Sequence, residues 1–247
     1  MLALRNIQLS FGQRVILGDI SAEVAPGCIT AVMGPNGCGK TTLLRCIGGL
    51  LQPDSGHVLI DHKPVADYTA RQLAQRLAFV RQHAQTDFEF SAFETVLMGR
   101  NPYQRHLQNE SQADWDIVER CMRQTGTWHL RFSTPAQMSG GELQRVMIAR
   151  ALAQETPLLL LDEPVSNLDI AHQLEIMRLL RQASDKTVLI VIHDLNLALQ
   201  FCDRLMLLHE GKLLFHGPVA EGLTPDNIRL VYGVDTHMAD GRIVFDY

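Results

Sequence analysis

Gly34-Pro35-Asn36-Gly37-Cys38-Gly39-Lys40-Thr41 is the stretch on which the fold turns. It has the form G-x-x-x-x-G-K-[ST], it follows the apolar run Ile29–Met33, and Leu43, Leu44, Cys46, Ile47 and Leu50 come after it at helical spacing. Strand, glycine loop and helix in that order predict a chain that wraps so that backbone N–H groups converge on α and β phosphates. The helix behind the loop then presents its positive dipole end. Lys40 can reach β and γ oxygens, and the Thr41 hydroxyl can ligate Mg²⁺. A glycine-rich strand-to-helix turn with no ligand is the plain alternative, and the correct context on both sides weighs against it.

Working outward, short runs rich in Val, Ile and Leu recur at His57–Ile60, Leu77–Val80, Pro157–Leu161, Thr187–Ile192 and Arg204–Leu208, most of them bounded by Gly, Pro, Asp or Asn. Several are apolar throughout, as strands covered by helices on both faces must be, so the fold class is α/β. Between Phe90 and Gln154 only helical periods remain. Ser91-Ala92-Phe93-Glu94 has the form of a capping box, and Trp115, Val118, Cys121 and Met122 recur at helical spacing. One domain over residues 1–247 is expected, with a catalytic core in 1–89 and 155–247, a helical lobe inserted at 90–154, and an antiparallel β region at the N-terminus.

A second helix end invites an anion. Met138-Ser139-Gly140-Gly141-Glu142-Leu143-Gln144 opens a run with Val146, Ile148, Ala149 and Leu152. Ser139 with Glu142 makes a capping box, but capping does not require two glycines, which cost about 1 kcal/mol each against alanine in a helix interior. They offer bare N–H groups that a phosphate can approach closely, with Ser139 as a further donor. Two phosphate-seeking helix ends, one without a lysine, suggest a nucleotide shared between two copies of the chain.

Leu158–Leu161 runs into Asp162-Glu163-Pro164, so both acids fall at the carboxyl edge of the sheet, where α/β folds bind ligands. Successive strand residues point to opposite sides. Asp162 can therefore hold the Mg²⁺ water shell while Glu163 orients or deprotonates an attacking water. His193 just past Val188–Ile192 can contact a γ-phosphate from the side opposite Lys40, although a lone strand-end histidine is more often structural. The other histidines show no ligand spacing.

Composition sets the outer bounds. Among 247 residues 46% are hydrophobic and 20% charged, which excludes a disordered or fibrous chain. The net charge of −5 gives no general attraction to nucleic acid or anionic lipid. No apolar run approaches the roughly 18 residues that cross a bilayer, so membrane contact is expected to be peripheral. Met1 leads straight into Leu-Ala-Leu-Arg-Asn-Ile, so no secretory signal is expected. Five cysteines (Cys28, Cys38, Cys46, Cys121, Cys202) without C-x-x-C spacing suit a reducing compartment.

The ordered set Gly34–Thr41, Gln82, Ser139–Gln144, Asp162–Glu163, Ser166-Asn167-Leu168-Asp169 and His193 resembles the ATP-binding subunit of ABC transporters, over nearly the whole chain. That resemblance implies a P-loop NTPase (RecA-like) core and the cofactors ATP and Mg²⁺. Gly34, Pro35, Asn36, Gly37, Cys38, Gly39, Lys40, Thr41 and Thr42 would hold the nucleotide, with Lys40, Glu163 and His193 catalytic. Gln82 would sense Mg²⁺ and the membrane partner, joining Thr41 and Asp162 at the metal. Ser139, Gly140, Gly141 and Glu142 would lie in the signature motif and Asp169 in the loop facing the second subunit. Phe11 would stack on adenine, standing where many relatives carry tyrosine; either ring has a π face. Met138 replaces a commoner Leu, a volume-conserving change. Cys38, near positive charge and a helix end, is expected to react with a maleimide and to be protected by ATP.

Thr95-Val-Leu-Met-Gly-Arg-Asn-Pro102, Leu195-Asn-Leu-Ala-Leu199 and Val231-Tyr-Gly-Val234 look like the bacterial importer group for ferric siderophores, haem and cobalamin. The partners so implied are a second copy in an ATP-sandwich homodimer, polytopic permease subunits and, indirectly, a substrate-binding protein, at the cytoplasmic face of the inner membrane. A soluble relative acting on ribosomes or DNA would carry two cassettes or long coiled coils and a less negative charge. A kinase would leave Ser139–Gln144 without a purpose.

Overall fold

The computed structural model describes residues 1–81, 90–104, 110–166, 168–183 and 185–246. In chain order the strands and helices are β1 (Leu2–Phe11), β2 (Arg14–Val24), β3 (Ile29–Met33), α1 (Lys40–Ile47), β4 (Ser55–Ile60), β5 (Lys63–Pro64), α2 (Ala70–Ala74), β6 (Leu77–Val80), α3 (Ala92–Leu97), α4 (Gln112–Gln124) and α5 (Gly140–Ala153). They continue through β7 (Leu158–Asp162), α6 (Ile170–Gln182), β8 (Thr187–Val191), α7 (Leu195–Phe201), β9 (Arg204–His209), β10 (Lys212–Pro218), α8 (Val219–Gly222), α9 (Pro225–Tyr232), β11 (Thr236–Ala239) and β12 (Arg242–Phe245). Two compact units result, one of Met1–Tyr68 with Ser184–Tyr247, the other of Thr69–Ala183. Residues 90–154 fall inside the second.

In the first unit β1 pairs antiparallel with β2 and β4, and a short β5 extends β4. This is the antiparallel region expected at the N-terminus. Leu4, Ile7, Leu17 and Ile20 are wholly buried while Arg5, Gln8 and Asp19 face out; each buried pair is three residues apart and shares a face because the β1–β2 register shifts between its members, with Asn6 at φ +50° and Asp19 at φ +62°. A second sheet runs β10, β9, β3, β8, with β3 parallel to both β8 and β9. Every residue of β3 is buried, as its unbroken apolar sequence requires.

Behind β3, α1 buries Leu43, Leu44 and Ile47 completely, at about 1.5–3 kcal/mol each for burying such a side chain. The helix stops one turn before the sequence pattern does: Gly48 caps it, Gly49 takes φ +68°, and Leu50 lies outside, 47% exposed. The expected strand at Pro157 begins instead at Leu158, because proline has no N–H to give the ladder. Leu158 N–H bonds the Arg76 carbonyl, and β7 runs parallel to β6.

The second unit is helical from α3 to α5. Ser91 and Glu94 form the expected capping box, and Ser111 with Asp114 forms another at α4. Val118, Cys121 and Met122 are buried, whereas Trp115 is half exposed and meets Phe93 edge to face at 5.5 Å. The Thr95–Pro102 stretch has a structural reason. A Cβ on Gly99 would sit 2.3 Å from the Arg150 carbonyl, so α5 passes against bare backbone there. Arg100, buried beside it, donates to Asp114 at 2.9 Å, to the Ala153 carbonyl at 2.7 Å and to Glu155 at 3.0 Å. Burial pushes the Asp114 carboxyl up, but the bonds from Arg100 and Ser111 together outweigh it and hold the group below its ordinary range.

Candidate functional site

Three left-handed glycines shape the phosphate loop: Gly34 at φ +145°, Gly37 at φ +78° and Gly39 at φ +103°. At Gly34 a Cβ would lie 2.2 Å from the Leu208 carbonyl, and at Gly39 it would lie 2.7 Å from Leu17 and 2.8 Å from the Ile16 carbonyl. The loop is thus clamped between β9 and β2, and no other residue fits at these two places. Gly39 serves as N-cap of α1 and has no side chain to cap it, the form of helix start that receives phosphate in glycine-loop folds. Lys40 is 5% exposed, and its Nζ donates to the carbonyls of Gly34 at 2.8 Å and Pro35 at 2.9 Å. Those neutral dipoles aim the ammonium across the loop without neutralising it. Asn36 and Gly37 are exposed on the rim, Pro35, Thr41 and Thr42 half-buried.

Residues far apart in sequence come to the same edge of this unit. β3 and β8 run in register from Ile29 opposite Val188 to Val32 opposite Val191, so Gly34 and the exposed His193 leave neighbouring strands at the same level. Phe11, 56% exposed, pairs with Arg14 across the Gly12-Gln13 turn, and an Arg14 Nη lies 3.9 Å from the Cβ position of Gly37. The aromatic end of that hairpin is therefore near the loop. Sequence reading missed Arg14; its only signal was that tight turn. It also missed Tyr232 in the Val231–Val234 stretch. Burial pushes that phenol up to about 12, and its hydroxyl lies near the Gly34 backbone and the Cys38 thiol without a well-aligned bond.

Cys38 corrects an expectation. It is buried, 5% exposed, with Sγ 2.7 Å from where a Gly34 Cβ would stand. Burial pushes its thiol up against the opposing pull of Lys40, so the nearby positive charge does not make a thiolate. Maleimide at neutral pH should accordingly leave Cys38 unmodified with or without ATP and modify the half-buried Cys28 first. Peptide mapping checks this; ATP-sensitive labelling of Cys38 would show that the loop opens.

In the second unit α5 starts at Gly140, as expected. Ser139 and Glu142 form the reciprocal box: Ser139 N–H and Oγ–H donate to the Glu142 carboxylate at 2.8 Å each, and Glu142 N–H donates to Ser139 Oγ at 3.3 Å. These bonds hold the Glu142 carboxyl below its usual range. The N–H groups of Gly140 and Gly141 are not consumed by the box, and Ser139 and Gly140 are exposed.

Asp162 ends β7 and is 3% exposed. Glu163, half-buried, is not the next strand residue but a left-handed turn residue at φ +51°, its carbonyl accepting from Ser166 N–H at 3.2 Å and Oγ–H at 2.9 Å. The acids are thus separated by a turn that costs about 1–2 kcal/mol in a non-glycine residue, where strand alternation was expected. Asp169 is exposed, caps α6 by accepting from His172 N–H at 2.9 Å, and is held below the ordinary carboxylate range first by that bond. Gln82 lies outside the described residues.

A loop of this geometry is a cradle for polyphosphate, which places the chain among the P-loop nucleotide triphosphatases. It belongs to the ABC transporter family, whose model matches residues 17–166. The chain is 40% identical over 242 residues to the hemin import ATP-binding protein HmuV of Bordetella pertussis, covering 94% of this chain and 91% of that one. It is 36% identical over 241 residues to the ferric enterobactin transport ATP-binding protein FepC of Escherichia coli, covering 96% and 89%. The ATP-binding cassette MJ0796, solved as a dimer in a post-hydrolysis state with ADP and Pi, superposes with a TM-score of 0.78 at 29% identity, covering 89% and 99%. The chain is accordingly an ATP-binding cassette that hydrolyses ATP. Among the described residues no helix is long and apolar enough to cross a membrane.

Proposed function

We propose that this cassette is the ATPase of a membrane importer for ferric siderophore, haem or cobalamin. Two copies would close on ATP at the cytoplasmic face of the inner membrane against polytopic permease subunits that a substrate-binding protein supplies. The observation that carries the reading is the pair of unlike helix ends. The N-terminus of α1 is uncapped and carries the buried Lys40, while that of α5 is exposed, led by glycine and without a lysine. One binds phosphate by itself, and the other has the donors to complete a site on another copy.

Phe11 stacks on adenine; Gly34 to Thr42 and Lys40 hold the phosphates. Glu163 takes the proton of the attacking water, and His193 steadies the γ-phosphate. Ser139, Gly140 and Gly141, shaped by Glu142, reach the partner's γ-phosphate beside Asp169. The buried carboxylate of Asp162 is a hard oxygen donor of the kind Mg²⁺ takes, and Thr41, Asp162 and Gln82 would hold Mg²⁺, which would supply charge neutralisation on the phosphates. The import relatives support the cargo class. The test is the ATPase rate of the cassette reconstituted with its permease in proteoliposomes. It should rise several-fold with binding protein carrying one of the three cargoes, and a rate indifferent to all three would sink the importer reading.

A further inference from the structure

The two glycines at the start of α5 meet different surroundings. A Cβ on Gly140 would touch nothing within 4 Å. On Gly141, which is buried, it would stand 3.3 Å from Cγ, 3.4 Å from Cδ2 and 3.7 Å from Nδ1 of His172, over the face of the imidazole. His172 lies in the first turn of α6, and its Nδ1 is 2.9 Å from Oδ1 of Asp169, the oxygen that also accepts its backbone N–H at 2.9 Å. The carboxylate thus grips both the backbone and the ring of His172. That ring in turn lies in tight contact with the place of a side chain at residue 141, 3.3 Å from it.

We infer that His172 is a positioning residue for the shared nucleotide site, locking the glycine-led start of α5 to the Asp169 loop so that both face the second copy as one unit. The inference rests on the shared-site reading above. It divides the reasons for the two glycines: Gly140 leaves room for phosphate, whereas Gly141 leaves room for His172. Aligned donors matter because a displacement of about 1 Å can cost 10²-fold in rate. The substrate affected is the γ-phosphate held by the partner copy, so turnover should suffer and the chain's own ATP affinity should not.

The test is a cycle of Gly141→Ala, His172→Ala and the double variant, with kcat, KM for ATP, monomer ATP affinity and melting temperature measured for each. Gly141→Ala should lower kcat by about tenfold, because the methyl presses on a ring 3.3 Å away and moves it, and the loop behind it, by a few tenths of an ångström. His172→Ala should lower it by roughly three- to fivefold, and the double variant should match His172→Ala and fall well short of the product of the two losses. His172→Asn, whose amide nitrogen can stand where Nδ1 stood, should recover most of the loss at unchanged melting temperature. Losses that simply multiply in the double variant, with monomer affinity intact, would overturn the role of His172 and leave the shared site standing. So would an Asn variant no better than Ala if Gly141→Ala fails to fold. Loss of ATP affinity in the variant monomers would instead strike the shared-site reading itself.

Discussion

Glu163→Gln should slow ATP hydrolysis by ~10²–10⁴ and leave ATP binding intact, so that ATP should trap a dimer that gel filtration resolves. The substitution keeps the shape of the side chain and removes only the ability to accept a proton. Glu163 owes its place to the turn after β7, where its carbonyl holds the Ser166 amide and hydroxyl at φ +51°. Glutamine tolerates that backbone about as well, so a loss of rate reports chemistry and an unchanged melting temperature confirms it. Hydrolysis near the wild-type rate would remove Glu163 as the base.

Ser139→Arg should abolish hydrolysis while monomer affinity for ATP stays that of the wild type. On the shared-site reading Lys40 and the three loop glycines hold the chain's own nucleotide, while Ser139, exposed at the start of α5, serves the partner's. Arginine puts bulk where the second copy would approach and removes the capping box, whose loss costs typically ~1 kcal/mol. Ser139→Ala separates these effects: it loses the cap without adding bulk and should keep dimer formation. A heterodimer of Ser139→Arg with Lys40→Ala carries both defects in one composite site, so activity returns if the remaining site turns over alone. The deciding measurement is the affinity of Ser139→Arg by itself. A large drop would mean that Ser139 serves its own nucleotide.

Local signals were read well because their physics is local. The capping boxes Ser91–Glu94 and Ser139–Glu142 need only partners three residues apart, and both formed. β3, β6, β8 and β9 were legible as apolar runs because burial on both faces leaves no polar position to confuse the period. The hairpin β11–β12 and strand β10 were not, since Thr236–Ala239 and Lys212–Pro218 are short or mixed in character and become strands through their partners. Leu50 fitted the helical period, but Gly48 and Gly49 end α1 before it.

By itself the amino-acid order determined that a phosphate cradle lies between a buried strand and a helix, that a second glycine-led helix begins at Gly140, and that two acids close an apolar strand. Each of these is a matter of neighbours within a few residues, where backbone stereochemistry and hydrogen bonding leave little choice. Only the tertiary structure decided that Cys38 is buried and its thiol pushed up by that burial, that Glu163 sits in a left-handed turn, and that Gly34 is forced by a carbonyl 174 positions later, at Leu208, 2.2 Å from its missing Cβ. It alone laid His172 over Gly141. Burial and close approach are set by which segments pack together, and no periodicity in a single segment records what will lie against it.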